Sequence, residues 1–223
     1  MQRLLSERAD SLIAEMIGES ALAKDGGAEC APLRRLLRKQ TRPAGSTDEV
    51  VTAFRDGQVT ARSLRRAEGY TMSSSTEPQG QAVEAGDVVV HGLDGFSGAI
   101  GDAEASGNCS PVNHVCIPCD GGSGVFYGRL LRSLALDGYL GLFATSTRER
   151  AVDFRSWELF GAIPIPNIRP DRQLEVEQLI LAARGLRVEL DQFKKLLTEH
   201  RLALITAAVT GQIDVTTARG VEV

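Results

Sequence analysis

Cysteine and histidine are weighed first, because few other side chains hold a metal or carry electrons. The four cysteines are Cys30, Cys109, Cys116 and Cys119, and Cys116-Ile-Pro-Cys119 forms a single CxxC pair. A structural zinc site needs four ligands. Cys109 and His114 alone stand near the pair, at spacings unlike those of a zinc finger. Reduced thiols in a strand-rich region are therefore the main reading, and zinc the lesser one. A redox role is weaker still, since no strand–helix–strand pattern surrounds the pair. His91, His114 and His200 are scattered. Asp171, Glu175 and Glu177 invite comparison with a nuclease's acidic cluster, yet they open a helix, where carboxylates favour the dipole and capping accounts for them better. Walker A, GxGxxG, HExxH and GxSxG patterns are absent. So is the Asn/Asp-Pro-Pro-Tyr/Phe tetrapeptide with which amino-methyltransferases hold a flipped adenine. These residues point to a chain with no catalytic site, metal or cofactor of its own.

Charge is more informative than any single residue. The net charge is −4, but it is unevenly spread. Residues 32–70 carry nine basic and four acidic side chains, and residues 128–170 carry six and four. Between them, residues 71–127 hold seven acids and no base. A phosphate backbone responds to local potential, so two basic blocks rich in arginine count for more than the total. No apolar run approaches the roughly 18 residues of a membrane span. Glu7, Asp10 and Glu15 near the N-terminus are unlike a signal peptide, which places the chain in the cytoplasm.

The elements that must position these residues form an α+β order. Residues 3–17 are expected to be helical, and strands are expected at Val50–Phe54, Asp87–His91, Gly98–Gly101 and His114–Ile117. Tyr127–Leu136 is expected to be a helix. Asp171, just after Pro170, is placed to cap a helix running to about Val209. Within it Leu179, Ala183, Leu186, Leu190, Phe193, Leu197, His200, Leu204 and Ala207 recur at alternating four- and three-residue steps, a coiled-coil seam. At about 1.5 Å per residue such a helix is nearly 60 Å long and needs a second helix as partner. The expected division is a short helix and linker (1–31), a strand-rich domain (32–168), the long helix (169–210) and a tail (211–223). The two ends also match: Arg3-Leu-Leu-Ser-Glu7 aligns with Lys195-Leu-Leu-Thr-Glu199, and Leu12-Ile13 with Leu204-Ile205 in the same ungapped register.

The stretch LLTEHRLALITAAVTGQIDV (196–215) closely resembles the segment that ends the specificity (S) subunits of Type I restriction–modification systems, where a long helix runs into an "ITAAVTG-IDV" tail. Ile163-Pro-Ile-Pro166, then Pro170 and Glu177-Gln178, is similar to the family's junction between recognition domain and helix. Ala85-Gly-Asp-Val-Val-Val90, Ser110-Pro111 and Ser146-Thr-Arg148 are weaker matches, useful in their order. The resemblance runs from about Leu33 onward.

It implies a target-recognition domain followed by a conserved helix, that is, one half of a usual S subunit. Such a chain would read one half of a split site in double-stranded DNA and dock methyltransferase subunits and, through them, restriction subunits. S-adenosylmethionine, ATP and Mg would belong to those partners. Two copies, paired through Leu179, Leu186, Leu190, Phe193, Leu197 and Leu204, would restore a whole site. From the basic blocks, Arg62, Arg65, Arg66, Arg129, Arg148 and Arg150 are the expected DNA contacts, Arg148 foremost because Thr145-Ser-Thr-Arg-Glu-Arg150 is a small-residue loop. The rival from another class is a non-enzymatic coiled-coil scaffold whose globular head binds protein.

Overall fold

A computed structural model describes residues 1–22, 30–46, 49–65, 80–119, 121–143 and 154–213. The helix α1 (Gln2–Leu22) leads into β1 (Cys30–Pro32), a single helical turn α2 (Leu33–Leu36) and β2 (Leu37–Lys39). The strands β3 (Val51–Ala53), β4 (Val59–Ala61), β5 (Gln81–Val83), β6 (Val88–His91), β7 (Ile100–Asp102), β8 (Gly107–Cys109) and β9 (Asn113–Pro118) follow. The helices α3 (Gly124–Leu136) and α4 (Trp157–Phe160), the strand β10 (Pro164–Pro166) and the helix α5 (Pro170–Val209) complete the chain. The class is α+β.

The strand β6 organises the domain. It lies inside an antiparallel sheet of order β2-β9-β6-β7, with Val89 opposite both Val115 and Gly101. Successive strand side chains point to opposite faces. Val88 and Val90 accordingly join one apolar cluster with Phe126, Leu130, Leu131, Phe160 and α1, while Val89 joins another with Val51, Val59, Val83 and Val115. A strand covered on both faces has no solvent side, which is why Asp87-Val-Val-Val90 runs apolar without alternating. Two cysteines mark the two layers: Cys116 lies in the first cluster and Cys109 in the second, both buried.

The helix α3 sits unusually close to the sheet. A Cβ on Gly128 would come within 2.7 Å of the Asp102 backbone nitrogen, and one on Gly124 within 2.2 Å of the Gly86 carbonyl oxygen. Ser123 caps the helix, its side chain accepting from the Phe126 N–H at 3.1 Å. His114 is buried between Trp157 and Phe160, nearly parallel to the latter at 5.7 Å between ring centroids. Its Nε2 lies 2.5 Å from the Phe154 carbonyl oxygen, which can only accept, so the proton is on Nε2, and Nδ1 has no partner among the described residues. Burial pulls the His114 pKa below its ordinary 6.5, the Phe154 hydrogen bond opposing.

Each expected element is present with shifted bounds, and one detail changes. Pro170 is the first residue of α5, and Asp171 stands inside the helix, pairing with Arg169 at 2.7 Å instead of capping the end. The short ribbons β1–β10, β3–β4 and β5–β8 were not expected from the sequence.

Candidate nucleic-acid interface

The start of α5 is locked into the domain by three sets of contacts. Gln173 is buried: its side-chain oxygen accepts from the Ser123 N–H at 3.1 Å, and its nitrogen donates to the Ile168 carbonyl at 2.7 Å. Val176 and Ala183 pack inward. Arg184 then forks onto the Asp102 carboxylate at 2.8 and 2.9 Å and reaches Glu104 at 3.1 Å, while Arg187 bonds Glu104 at 2.7 Å. Burial works against the charge on Arg184, but the Asp102 hydrogen bonds and the two carboxylates outweigh it, and its pKa is raised. Domain and helix are thereby joined without a hinge at this point.

The seam residues fall into two groups. Leu179 and Leu186 are half-buried. Leu190, Phe193, Leu197 and Leu204 are 45%, 59%, 53% and 46% exposed. The helix partner that the seam requires is α1, and it serves the first half of α5. The second half stands clear of the domain.

The expected arginine contacts are placed as follows. Arg62 uses its Nε to bond Thr52 Oγ1 at 3.2 Å, with no hydrogen bond from its terminal amino groups among the described residues. Arg65 pairs with Asp56 at 2.8 Å and lies 4.3 Å over the Phe54 ring. Although burial opposes it, that pairing and the Gln58 N–H hold the Asp56 carboxyl below its ordinary value. Arg129 bonds both Asp10 oxygens at 2.6 Å and Ser6 at 2.7 Å, tying α3 to α1. Arg66, Arg148 and Arg150 lie outside the described residues.

Sequence reasoning passed over four exposed cations of the first basic block. Arg34 and Arg35 on α2, and Arg38 and Lys39 on β2, are all exposed, and none has a carboxylate partner among the described residues. The strand β2 pairs with β9 and with no other described strand, so Arg38 and Lys39 stand at an open sheet edge, with Arg34 and Arg35 on the helical turn just before it. By contrast Arg42 is tied to Asp87, and Arg55 to Asp94 at 2.8 Å. The signal was available: Leu33, Leu36 and Leu37 are apolar and buried, so the intervening Arg-Arg and following Arg-Lys must face out.

No group of three His, Cys, Asp or Glu side chains among the described residues is arranged to hold a metal ion. Cys116 is buried, and burial pushes its thiol up to about 12. No helix among them is long and apolar enough to cross a membrane.

No protein-family profile matches the chain, and no curated protein is similar to it in sequence. Two solved structures align along most of it. The S subunit of a Type I restriction–modification system from M. genitalium is 16% identical over 92% of this chain and 54% of its own, with a TM-score of 0.47. The HsdS subunit from Thermoanaerobacter tengcongensis is 11% identical over 95% of this chain and 54% of its own, with a TM-score of 0.42. The chain thus spans about half the length of each.

Proposed function

We propose that this chain is the DNA-reading half of a specificity subunit in a Type I restriction–modification complex. The tail and junction motifs support the family. The observation that carries DNA contact is the group Arg34, Arg35, Arg38 and Lys39, four exposed cations on α2 and the adjoining edge strand β2 without a carboxylate partner among the described residues. Phosphate contacts set register and orientation, and side chains at base edges then specify sequence. Arg66, Arg148 and Arg150 are proposed to join this face. Arg62 has terminal amino groups that no described residue engages and that would be available to a phosphate, whereas Arg65 and Arg129 would have to share theirs with Asp56 and Asp10.

The fixed joint at Gln173 and Arg184 suits a spacer, because a helix that cannot swivel transmits a defined distance from one half-target to the other. Two copies, or one longer chain with a second such unit, would supply the second half. Methyltransferase subunits would dock on the helix and bring S-adenosylmethionine, with ATP and Mg acting in restriction subunits. The chain itself would do no chemistry.

Duplex binding across a salt series tests this, with the methyltransferase partner present. Replacing Arg35 and Arg38 by Ala together should weaken binding to cognate and scrambled duplexes alike. It should also lower the dependence of log affinity on log salt by about two. Arg148→Ala should instead cost roughly 1–3 kcal/mol at one position of the site if it reads a base. Binding that ignores salt in the unaltered chain would favour the protein-binding scaffold.

A further inference from the structure

The four cysteines differ in depth. Cys109 and Cys116 are buried, Cys119 is half-buried and Cys30 is exposed. Cys116 and Cys119 form a CxxC pair in the sequence, but the fold parts them. Cys116 lies within β9 and packs into the core at 1% exposure, whereas Cys119 follows the last residue of that strand and opens on a cavity of about 330 Å³. The thiol that shares this cavity is Cys30, at the start of β1. Cys30 stands opposite Pro166, and the Cys119 N–H donates to the Leu36 carbonyl at 2.8 Å. The single turn α2 lies between these two anchor points, and its four residues rise only about 6 Å at 1.5 Å per residue.

Arg35, on that turn, is the one charged side chain on the cavity wall among the described residues. It is exposed and has no carboxylate partner among them. Gln173 also lines the wall, but its amide is committed to Ser123 and Ile168. A space of this size suits a small ligand and not a macromolecular surface. It offers that ligand two thiols and one guanidinium. The complementary compound carries a sulfur that can exchange and an anionic group for Arg35.

We propose that Cys30 and Cys119 form a thiol pair that exchanges with small disulfides bearing carboxylates, closing a reversible Cys30–Cys119 bond. Cys30, the more exposed of the two, reacts first: its thiolate attacks one sulfur of the disulfide, and the other sulfur leaves as a thiolate. Arg35 holds a carboxylate of the bound half in the cavity. The Cys119 thiolate then attacks the Cys30 sulfur and expels that half. The chain gives up two electrons and two protons, and the reagent leaves as two thiols. Exposed disulfides are the easily reduced ones, so the bond reopens as the surrounding thiol pool becomes more reducing. Cys116 takes no part, because burial holds it as a thiol and the core covers it.

The chemistry is read on the chain alone, so the inference does not rest on the DNA reading. The reduced, folded chain is incubated with oxidised glutathione and mapped by non-reducing peptide mass spectrometry. One cross-linked peptide pair containing Cys30 and Cys119 should appear, with Cys109 and Cys116 recovered as free thiols. In Cys119→Ser the reaction should stop at glutathione on Cys30. In Cys30→Ser, modification of Cys119 should be at least tenfold slower than the first step in the unaltered chain. Arg35→Ala should slow that first step at least threefold with oxidised glutathione and leave its rate with the neutral hydroxyethyl disulfide unchanged. A Cys116–Cys119 bond, a bond between two chains, or a mixed disulfide that persists on Cys30 of the unaltered chain overturns the proposal. Arg35→Ala reacting with both disulfides at the unaltered rates overturns it as well.

Discussion

Replacing Arg184 by Ala should lower the stability of the fold by about 3–5 kcal/mol, because it strands the buried Asp102 carboxylate without a cation and leaves Glu104 with Arg187 alone. Asp102 and Glu104 have side chains only 9% and 14% exposed, and Arg184 is the one cation among the described residues that pairs with both. Arg187 reaches Glu104 but makes no bond to Asp102 among the described contacts. The loss comes from the charge left behind more than from the value of the pair itself. Adding Asp102→Asn and Glu104→Gln to Arg184→Leu should therefore recover most of it. Urea unfolding of the single and triple variants measures both. Equal stability of Arg184→Ala and the unaltered chain would mean that the joint between domain and helix is held by Gln173 and Val176 alone.

Phe160→Ala should be of similar size, about 3–5 kcal/mol, and should also change how stability varies with pH. Phe160 is 2% exposed and touches His114 on one side and Phe154, at 5.0 Å between centroids, on the other. Its removal opens a cavity beside an imidazole whose Nδ1 has no partner among the described residues. In the intact fold burial holds the His114 pKa below 6.5, so the unfolded chain binds the proton more readily. The stability this contributes is present above about pH 6.5 and declines as pH falls towards the folded value. Water admitted by the cavity would bring the two pKa values together. Unfolding at pH 5.5 and 7.5 should then differ less in Phe160→Ala than in the intact chain. An unchanged difference would place the pH dependence at another group.

Long periodic elements were legible in the sequence, and short or mutual ones were not. The seam of α5, the helix α3 and the central strand announced themselves because each repeats a pattern over several residues. The ribbons β3–β4 and β5–β8 are three residues per strand, too short to show alternation. Two prolines in three residues gave no strand signal, yet Pro164-Ile-Pro166 pairs with Cys30-Ala-Pro32 as a two-stranded ribbon, where missing N–H groups do no harm. The basic blocks were visible as counts. Which arginines are answered could not be counted, since Arg42 meets Asp87, Arg65 meets Asp56 and Arg129 meets Asp10 only through the fold. The heptads of α5 called for a helix, and nothing in one sequence said that α1 would cover only half of it.

The placement of Cys109 and Cys116 in separate layers gives the domain two internal clocks. Burial raises both thiols, that of Cys116 to about 12, so neither reacts with a labelling reagent until its layer opens. Under conditions where reclosing outpaces labelling, each rate reports the opening free energy of its own side of the sheet. Equal rates would mean that the two faces of β6 unfold as one cooperative body. A faster Cys109 would identify the Val51–Val59–Val83 side as the layer that can loosen while the body carrying α3 and α5 stays closed.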